Sequence, residues 1–352
     1  MLRMGRRRVD NPLGLPPRVY ARHGAFFYVH PNGRWERLGT DLREAKRKGN
    51  LFNDPSATFG TMAYWLDAFV VHCAARVGLP KSRRGIAQRT FEDYRRDVEP
   101  LKAYFGKMQP GSVLPTHVGK YLEIGAETNR AVRANREKAC LSACFTWLLL
   151  QSDAAVQINP CVGVKRNPES KRLRYVTDDE LRAVLAIAPK MVCALLWLVY
   201  RTLQRPEDVI AWTPAVIARK ADKRVLRFVQ RKTGKQMEVE VSDELDAILR
   251  DLNANSDGSL RGPGMPLIHR LDGSGYTYDG IASMLRRDVN AAGVPGFGFY
   301  DMKGKGATDM WRAGVPIEQI QLLCGHDSVT TTEIYVKARW IDTVQPNRVV
   351  VR

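Results

Sequence analysis

Cysteine is scarce and unpatterned in this 352-residue chain. Its six members (Cys73, Cys140, Cys144, Cys161, Cys193 and Cys324) form no Cys-x-x-Cys and no paired Cys/His spacing. That argues against a zinc site or a disulfide framework. They read instead as small core residues in a reducing cytosol. Long apolar runs are missing as well. The longest, residues 191–200, falls short of the ~18 residues a membrane span needs. The basic start, MLRMGRRR, is followed by no apolar segment, so it does not read as a secretory signal. No Gly-x4-Gly-Lys-Ser/Thr loop stands ready to cradle a nucleotide. No cluster of carboxylates or His/Cys offers a metal site. Acid is in deficit too, with 37 Asp+Glu against 55 Lys+Arg and a net charge of +18. The expectation is a cytoplasmic protein with no cofactor, no metal and no membrane span. Its charge favours a polyanionic partner, nucleic acid or an anionic surface.

What is present has order. The length suffices for two domains and a small third. Residues 1–56 hold twelve Lys+Arg and five Asp+Glu. After an arm of Arg3, Arg6, Arg7 and Arg8, three short runs (18–22, 25–30, 34–38) are divided by His23-Gly24 and Pro31-Asn32-Gly33. They read as a three-stranded sheet, and residues 41–48 as a short basic helix. Such a sheet can lie against DNA with Arg18, Arg22, Arg34 and Arg37 on phosphates. It can equally be a sheet that docks on its neighbour. Under either reading Phe27 and Trp35 are expected to pack inward. Residues 57–160 read as all helix. A stretch over 58–76 is apolar at helical spacing through Phe59, Met62, Trp65, Leu66 and Phe69. A basic loop then leads to a charged helix, and further helices fall near 115–126 and 129–150. Lys81, Arg83, Arg84 and Arg89 can meet phosphate here, although alone they read as a solvated face. Asn159-Pro160 ends the last helix. Residues 161–176, with Pro168 and five Lys/Arg, read as a linker.

The remainder opens with Thr177-Asp178-Asp179-Glu180, a capping box before a helix. An apolar helix over 191–203 meets Pro206, which is expected to stop it and leave Arg205 as a cation at its end. Two strand-like runs, 224–230 and 236–241, flank a Thr-Gly turn that bears Lys232 and Lys235. Helices are expected at 242–252 and 278–292. Then come Tyr300-Asp301-Met302-Lys303, an amphipathic stretch, Gly325-His326 and, nine residues on, Tyr335. Thr330-Thr331-Thr332-Glu333 reads as a capping box that starts the helix carrying this tyrosine.

Arg205 with Asp208 three positions on, a lysine in a hairpin, Gly-His, and a helix-borne tyrosine stand in an order that strongly resembles the tyrosine recombinases, the phage integrase family. Three positions depart from the common pattern. Leu203 stands where Thr-Gly-x-Arg has glycine. Tyr300 and Lys303 stand where His-x-x-Arg has histidine and arginine. Lys305 is an alternative source of that second charge. The resemblance implies a multidomain, mainly α protein. An arm-type DNA-binding domain (1–56) of a three-stranded sheet plus helix precedes an all-α core-binding domain (57–160) and a linker (161–176). An α+β catalytic domain (177–340) and a C-terminal tail (341–352) complete it.

The chemistry asks for such residues. A tyrosine hydroxyl, with a pKa near 10, is a weak nucleophile at neutral pH. Attack on a phosphodiester requires cations on the non-bridging oxygens and an acid for the leaving 5′-oxygen. Arg205 and Lys303 would neutralise the phosphate, with Tyr300 beside them. His326 would bond a phosphate oxygen or exchange a proton. The resemblance makes Lys232 the general acid and Tyr335 the nucleophile. It also implies double-stranded attachment-site DNA in a bacterial host, a homo-tetramer on that DNA, a directionality factor and a host DNA-bending protein.

Overall fold

The structure, a computed structural model, describes residues 11–53, 60–170, 174–255 and 257–336. The arginines of the N-terminal arm and the tail beyond residue 336 lie outside these. The chain divides into two units, Met1–Ser170 and Lys171–Arg352.

The first unit begins with an antiparallel sheet in the order β1 (Val19–Arg22), β2 (Ala25–Val29), β3 (Trp35–Gly39), followed by helix α1 (Leu42–Asn53). Val19, Tyr28 and Leu38 face Ala45 of α1 in a small core. The Asp41 carboxylate accepts the Glu44 N–H at 2.7 Å and so starts α1. The helix outruns its expected end. Asn53 is held by the Tyr28 hydroxyl at 2.9 Å and bonds Pro17 O at 2.8 Å, contacts that local sequence does not reveal. The expectation that Trp35 packs inward is overturned, for it is 46% exposed. It pairs with Val29 on the face turned away from α1, where Tyr20, Phe27 and the Arg22 guanidinium gather around it. Phe27 on that face is half-buried.

Four helices follow: α2 (Met62–Ala74), α3 (Gln88–Phe105), α4 (Pro115–Glu127) and α5 (Ala131–Leu148). Trp65, Leu66 and Phe69 of α2 meet Leu101 and Phe105 of α3 and Cys144 and Phe145 of α5 in one core. After α5 the chain lacks helical period because side chains satisfy its backbone. Asn135 Oδ1 accepts the Asn167 N–H at 2.9 Å, and Lys138 Nζ donates to Val164 O at 2.7 Å.

The second unit opens with α6 (Asp178–Leu185), capped by Thr177 and Glu180 reciprocally, as the spacing predicts. Helix α7 (Lys190–Thr202) and the short α8 (Pro206–Ile210) lead to an antiparallel sheet, β4 (Ile217–Lys220), β5 (Lys223–Val229), β6 (Gln236–Glu240). Strand β4 is additional to the two runs read from the sequence. Helices α9 (Asp243–Asn253), α10 (Tyr278–Ala291), α11 (Phe299–Arg312), α12 (Ile317–Cys324) and α13 (Val329–Val336) complete the unit. Leu195 and Leu198 of α7 share a core with Phe299 and Met302 of α11. The two helices approach closely at Gly306, where a Cβ would lie 2.4 Å from Tyr200 O. A second small core joins Leu203, Ala307, Ile320, Cys324 and Val336. It thereby brings the end of α7, α11, α12 and α13 to one place. Among the described residues no helix is long and apolar enough to cross a membrane.

Candidate active site

Arg205 reaches this place through an unusual turn. Helix α7 ends at Thr202, and Leu203 takes a left-handed backbone with φ of +53°. That conformation costs a side chain about 1–2 kcal/mol. Full burial of Leu203 among Ala307, Ile320 and Cys324 offsets it. Arg205 then stands at the N-cap of α8, with Pro206 in the first turn. The expectation of a cation at a helix C-terminus is therefore corrected, since a helix N-terminus disfavours positive charge. A carboxylate holds it instead. Arg205 Nη1 lies 3.7 Å from Asp208 Oδ2, and Asp208 is almost fully buried. Asp208 Oδ1 in turn accepts the Arg231 N–H at 3.0 Å.

The hairpin between β5 and β6 closes around Gln230. Its N–H donates to Lys235 O at 2.9 Å, and its carbonyl accepts the Gly234 N–H at 2.8 Å. Gly234, at φ of +72°, takes the left-handed position of the turn. Lys232 is exposed at the tip and has no hydrogen-bond or ion-pair partner among the described residues. Lys235 Nζ lies 4.0 Å from Asp327.

From α11 come two of the expected side chains. The Tyr300 hydroxyl donates to Glu207 Oε2 at 2.6 Å, and burial together with that carboxylate holds the phenol well above its usual pKa. Lys303 is fully buried, and among the described residues no carboxylate is bonded to it. Its ammonium donates to Cys324 O at 3.2 Å and lies 6.0 Å from the Tyr335 ring centroid. Burial, with Arg205 adding repulsion, brings its pKa down to about 8. Lys305, the alternative cation, is committed elsewhere. It donates to Asp178 at 2.5 Å and to the Tyr175 hydroxyl at 3.2 Å, and pairs with Asp309 at 3.0 Å.

Gly325 ends α12 at φ of +69° and turns the chain into His326. The buried imidazole has Nδ1 3.0 Å from Thr332 Oγ1, and its ring centroid is 5.3 Å from that of Tyr335. Desolvation, then the charges of Lys303, Arg205 and Lys235, push its pKa down to about 4, so the ring is neutral at pH 7. Tyr335 is half-buried on α13. That helix begins at Val329, so Thr330 lies within its first turn and the expected capping box is not its start.

The structure thus gathers Arg205, Lys303, His326 and Tyr335, with Tyr300 attached through Glu207. It leaves Lys232 on the turn outside. Sequence reasoning missed two residues that join these segments. Gln204 and Gln230 are both fully buried. Gln230 Nε2 donates to Gln204 Oε1 at 2.8 Å and to Cys324 O at 3.2 Å. Gln230 Oε1 accepts from the Thr233 hydroxyl at 2.8 Å and from Arg205 at 3.4 Å. Gln204 Nε2 donates to Leu323 O at 2.7 Å. The available signal was position alone: each glutamine sits one or two residues from a candidate cation.

In the first unit the candidate DNA contacts are dispersed. Arg22, Arg34, Arg37, Arg83, Arg84 and Arg89 are exposed and Arg18 is half-buried, while the side chain of Lys81 is outside the described part. Arg22 lies over the Trp35 ring at 5.0 Å, Arg34 pairs with Glu36 at 3.1 Å, and Arg89 pairs with Asp93 at 3.6 Å.

Residues 174–340 match the model of the phage integrase family. Among curated relatives, the tyrosine recombinase XerC of Xylella fastidiosa (strain M23) is 25% identical over 263 residues, covering 72% of this chain and 87% of its own. The tyrosine recombinase XerD of Mycobacterium leprae (strain TN) is 28% identical over 286 residues, with the shares again 72% and 87%. Among solved structures, a lambda integrase dimer bound to a COC′ core site matches with a TM-score of 0.66 at 19% identity, covering 97% of this chain and 100% of that one. A lambda integrase tetramer bound to a Holliday junction matches with a TM-score of 0.66 at 18% identity, covering 97% and 99%.

Proposed function

This chain belongs to the phage integrase family of tyrosine recombinases, and we propose that it is a site-specific integrase that cuts and rejoins DNA at attachment sites through a 3′-phosphotyrosine. The observation that carries the reading is the placement of the Tyr335 ring 5.3 Å from a neutral His326 and 6.0 Å from the Lys303 ammonium. Arg205 is joined to the same cluster through Gln230 and Cys324 O. In this reading Tyr335 attacks the phosphorus. Arg205 and Lys303 neutralise the non-bridging oxygens, Tyr300 adds a hydroxyl, and His326 bonds an oxygen or takes up a proton. Lys232 protonates the leaving 5′-oxygen. The phosphotyrosine bond conserves the energy of the broken phosphodiester, so a second 5′-hydroxyl reverses the step without ATP.

The division into an arm-type domain (1–56), a core-binding domain (57–160), a linker (161–176), a catalytic domain (177–340) and a tail (341–352) belongs to the same proposal. Arg18, Arg22, Arg34 and Arg37 would contact phosphates from the sheet, and Lys81, Arg83, Arg84 and Arg89 from the helical bundle. The working form would be a homo-tetramer on double-stranded DNA, helped by a directionality factor and a host DNA-bending protein. What favours an integrase is the basic N-terminal sheet, together with a lambda integrase likeness spanning 97% of the chain. A resolvase-type reading has support of its own, because the sequence relatives are XerC and XerD, over 72% of the chain.

The test is a nicked attachment-site duplex that traps the covalent step. The wild-type chain should form a protein–DNA adduct and Tyr335→Phe none. An adduct from Tyr335→Phe, or none from the wild type, overturns the assignment. Recombination between two unlike attachment sites supports an integrase; activity confined to resolving DNA dimers supports the second reading.

A further inference from the structure

The buried glutamine pair binds together three segments that the recombinase reading needs and that are far apart in sequence. Gln204 precedes Arg205. Gln230 stands two residues before Lys232. Cys324, whose carbonyl accepts from both Gln230 Nε2 and Lys303 Nζ at 3.2 Å, stands two residues before His326. The Gln230 amide uses both ends. Its nitrogen donates inward to Gln204 Oε1 and Cys324 O, and its oxygen receives the Thr233 hydroxyl from the turn at 2.8 Å. Its backbone closes the same turn through Lys235 O and the Gly234 N–H. Space is allotted to it: a Cβ on Gly325 would fall 2.3 Å from Gln230 Nε2. Lys232, by contrast, is exposed and unpartnered among the described residues. Among the described residues no hydrogen bond or ion pair fixes where its ammonium goes, so its aim depends on the turn beneath it.

We infer that Gln230 is a positioning residue: its buried amide fixes the Lys232 turn to the Gln204 and Cys324 segments, so that the lysine is held at the leaving 5′-oxygen. This rests on the recombinase reading above. In the step concerned, the Tyr335 oxygen–phosphorus bond forms as the phosphorus–O5′ bond breaks, and the Lys232 ammonium gives its proton to O5′. A bridging 5′-sulfur in place of that oxygen leaves as a thiolate and needs no such proton, because thiols are far stronger acids than alcohols.

The experiment compares single-turnover adduct formation on an ordinary nicked duplex and on one with a bridging 5′-phosphorothiolate at the cleavage position. It uses the full chain and the variants Lys232→Ala and Gln230→Met, the latter of similar length without the amide. Lys232→Ala should lose about 100-fold or more on the ordinary duplex and recover on the thiolate one. Gln230→Met should follow the same pattern with a loss of roughly tenfold or more. Equal loss on both duplexes, or no loss on either, overturns the inference. Should Gln230→Met fail to fold, Thr233→Val decides. It deletes the hydroxyl that donates to Gln230 Oε1 at 2.8 Å and accepts the Lys235 N–H at 3.4 Å, and a loss that the thiolate relieves supports the inference, whereas no change overturns it. A wild-type chain that forms no adduct on either duplex overturns the recombinase reading and this inference with it, an outcome distinct from parallel loss in the variant.

Discussion

At neutral pH Lys303 is charged and His326 neutral, although they lie in one cluster. The buried ammonium releases its proton near pH 8. Adduct formation by the wild type should therefore fall as pH rises through about 8, once other titrations are matched. Lys303→Arg should flatten this fall, because a guanidinium stays charged; an unchanged profile would place the titrating group elsewhere. Stability runs differently. An unfolded Lys303 keeps its proton up to about its ordinary 10.5, so burying the charged form costs stability below about pH 8, and the cost fades between about 8 and 10.5. For His326 the folded ring takes a proton only near pH 4, against 6.5 when unfolded. The unfolded state then binds more protons between those values, and stability should drop as pH falls from about 6.5 toward 4. His326→Gln should remove that part of the drop in urea titrations.

Leu203 sets two costs against each other at the same scale. Glycine would relieve the left-handed backbone by about 1–2 kcal/mol. It would also forfeit a fully buried leucine worth about 2–3 kcal/mol, and leave a cavity against the Gly306 backbone. Leu203→Gly is expected to destabilise by about 1 kcal/mol or more in equilibrium urea unfolding. A more stable variant would show that strain outweighs packing here.

At the scale of elements, what was legible in the sequence was local. The Thr177 capping box, the Thr-Gly turn and the apolar period of α2 and α7 are each written within a few residues, and each helix or hairpin appears where they place it. What stayed hidden depends on distant partners. The last turn of α1 is held by Tyr28 and Pro17, and the placing of Arg205 by Asp208 and Gln230. Lys303 and Lys305 look equivalent as two lysines on one helix. They separate only because one faces Cys324 O and the other Asp178 and Asp309. The α12–α13 turn shows a constraint of the same kind. Gly325 is left-handed, and Gln230 also fills the space a side chain would need. Gly325→Ala should cost about 1–3 kcal/mol in thermal unfolding and lower adduct formation. An alanine that leaves both unchanged would show that the turn and Gln230 move freely.

For the whole molecule, charge decides more than shape. The net +18 includes a surplus in residues 1–56, twelve Lys+Arg against five Asp+Glu. Counterion release then predicts a steep fall of DNA affinity with salt. A fragment beginning at residue 171 holds the entire larger core of its unit. It is expected to fold, to bind more weakly, and to show a shallower dependence of log affinity on log salt. An unchanged slope would mean that the first unit contributes no phosphate contacts.

The aromatic face of the N-terminal sheet has an optical consequence. Trp35 is the one exposed indole among the described residues, with Tyr20 and Phe27 against it and Arg22 above. The other described indoles are buried or half-buried. Among the described indoles iodide should therefore quench mainly Trp35, and in a Trp340→Phe background Trp35→Phe should remove most of the quenchable emission. If DNA lies on this face, the same emission becomes shielded on titration with duplex, and the protein carries its own reporter of occupancy.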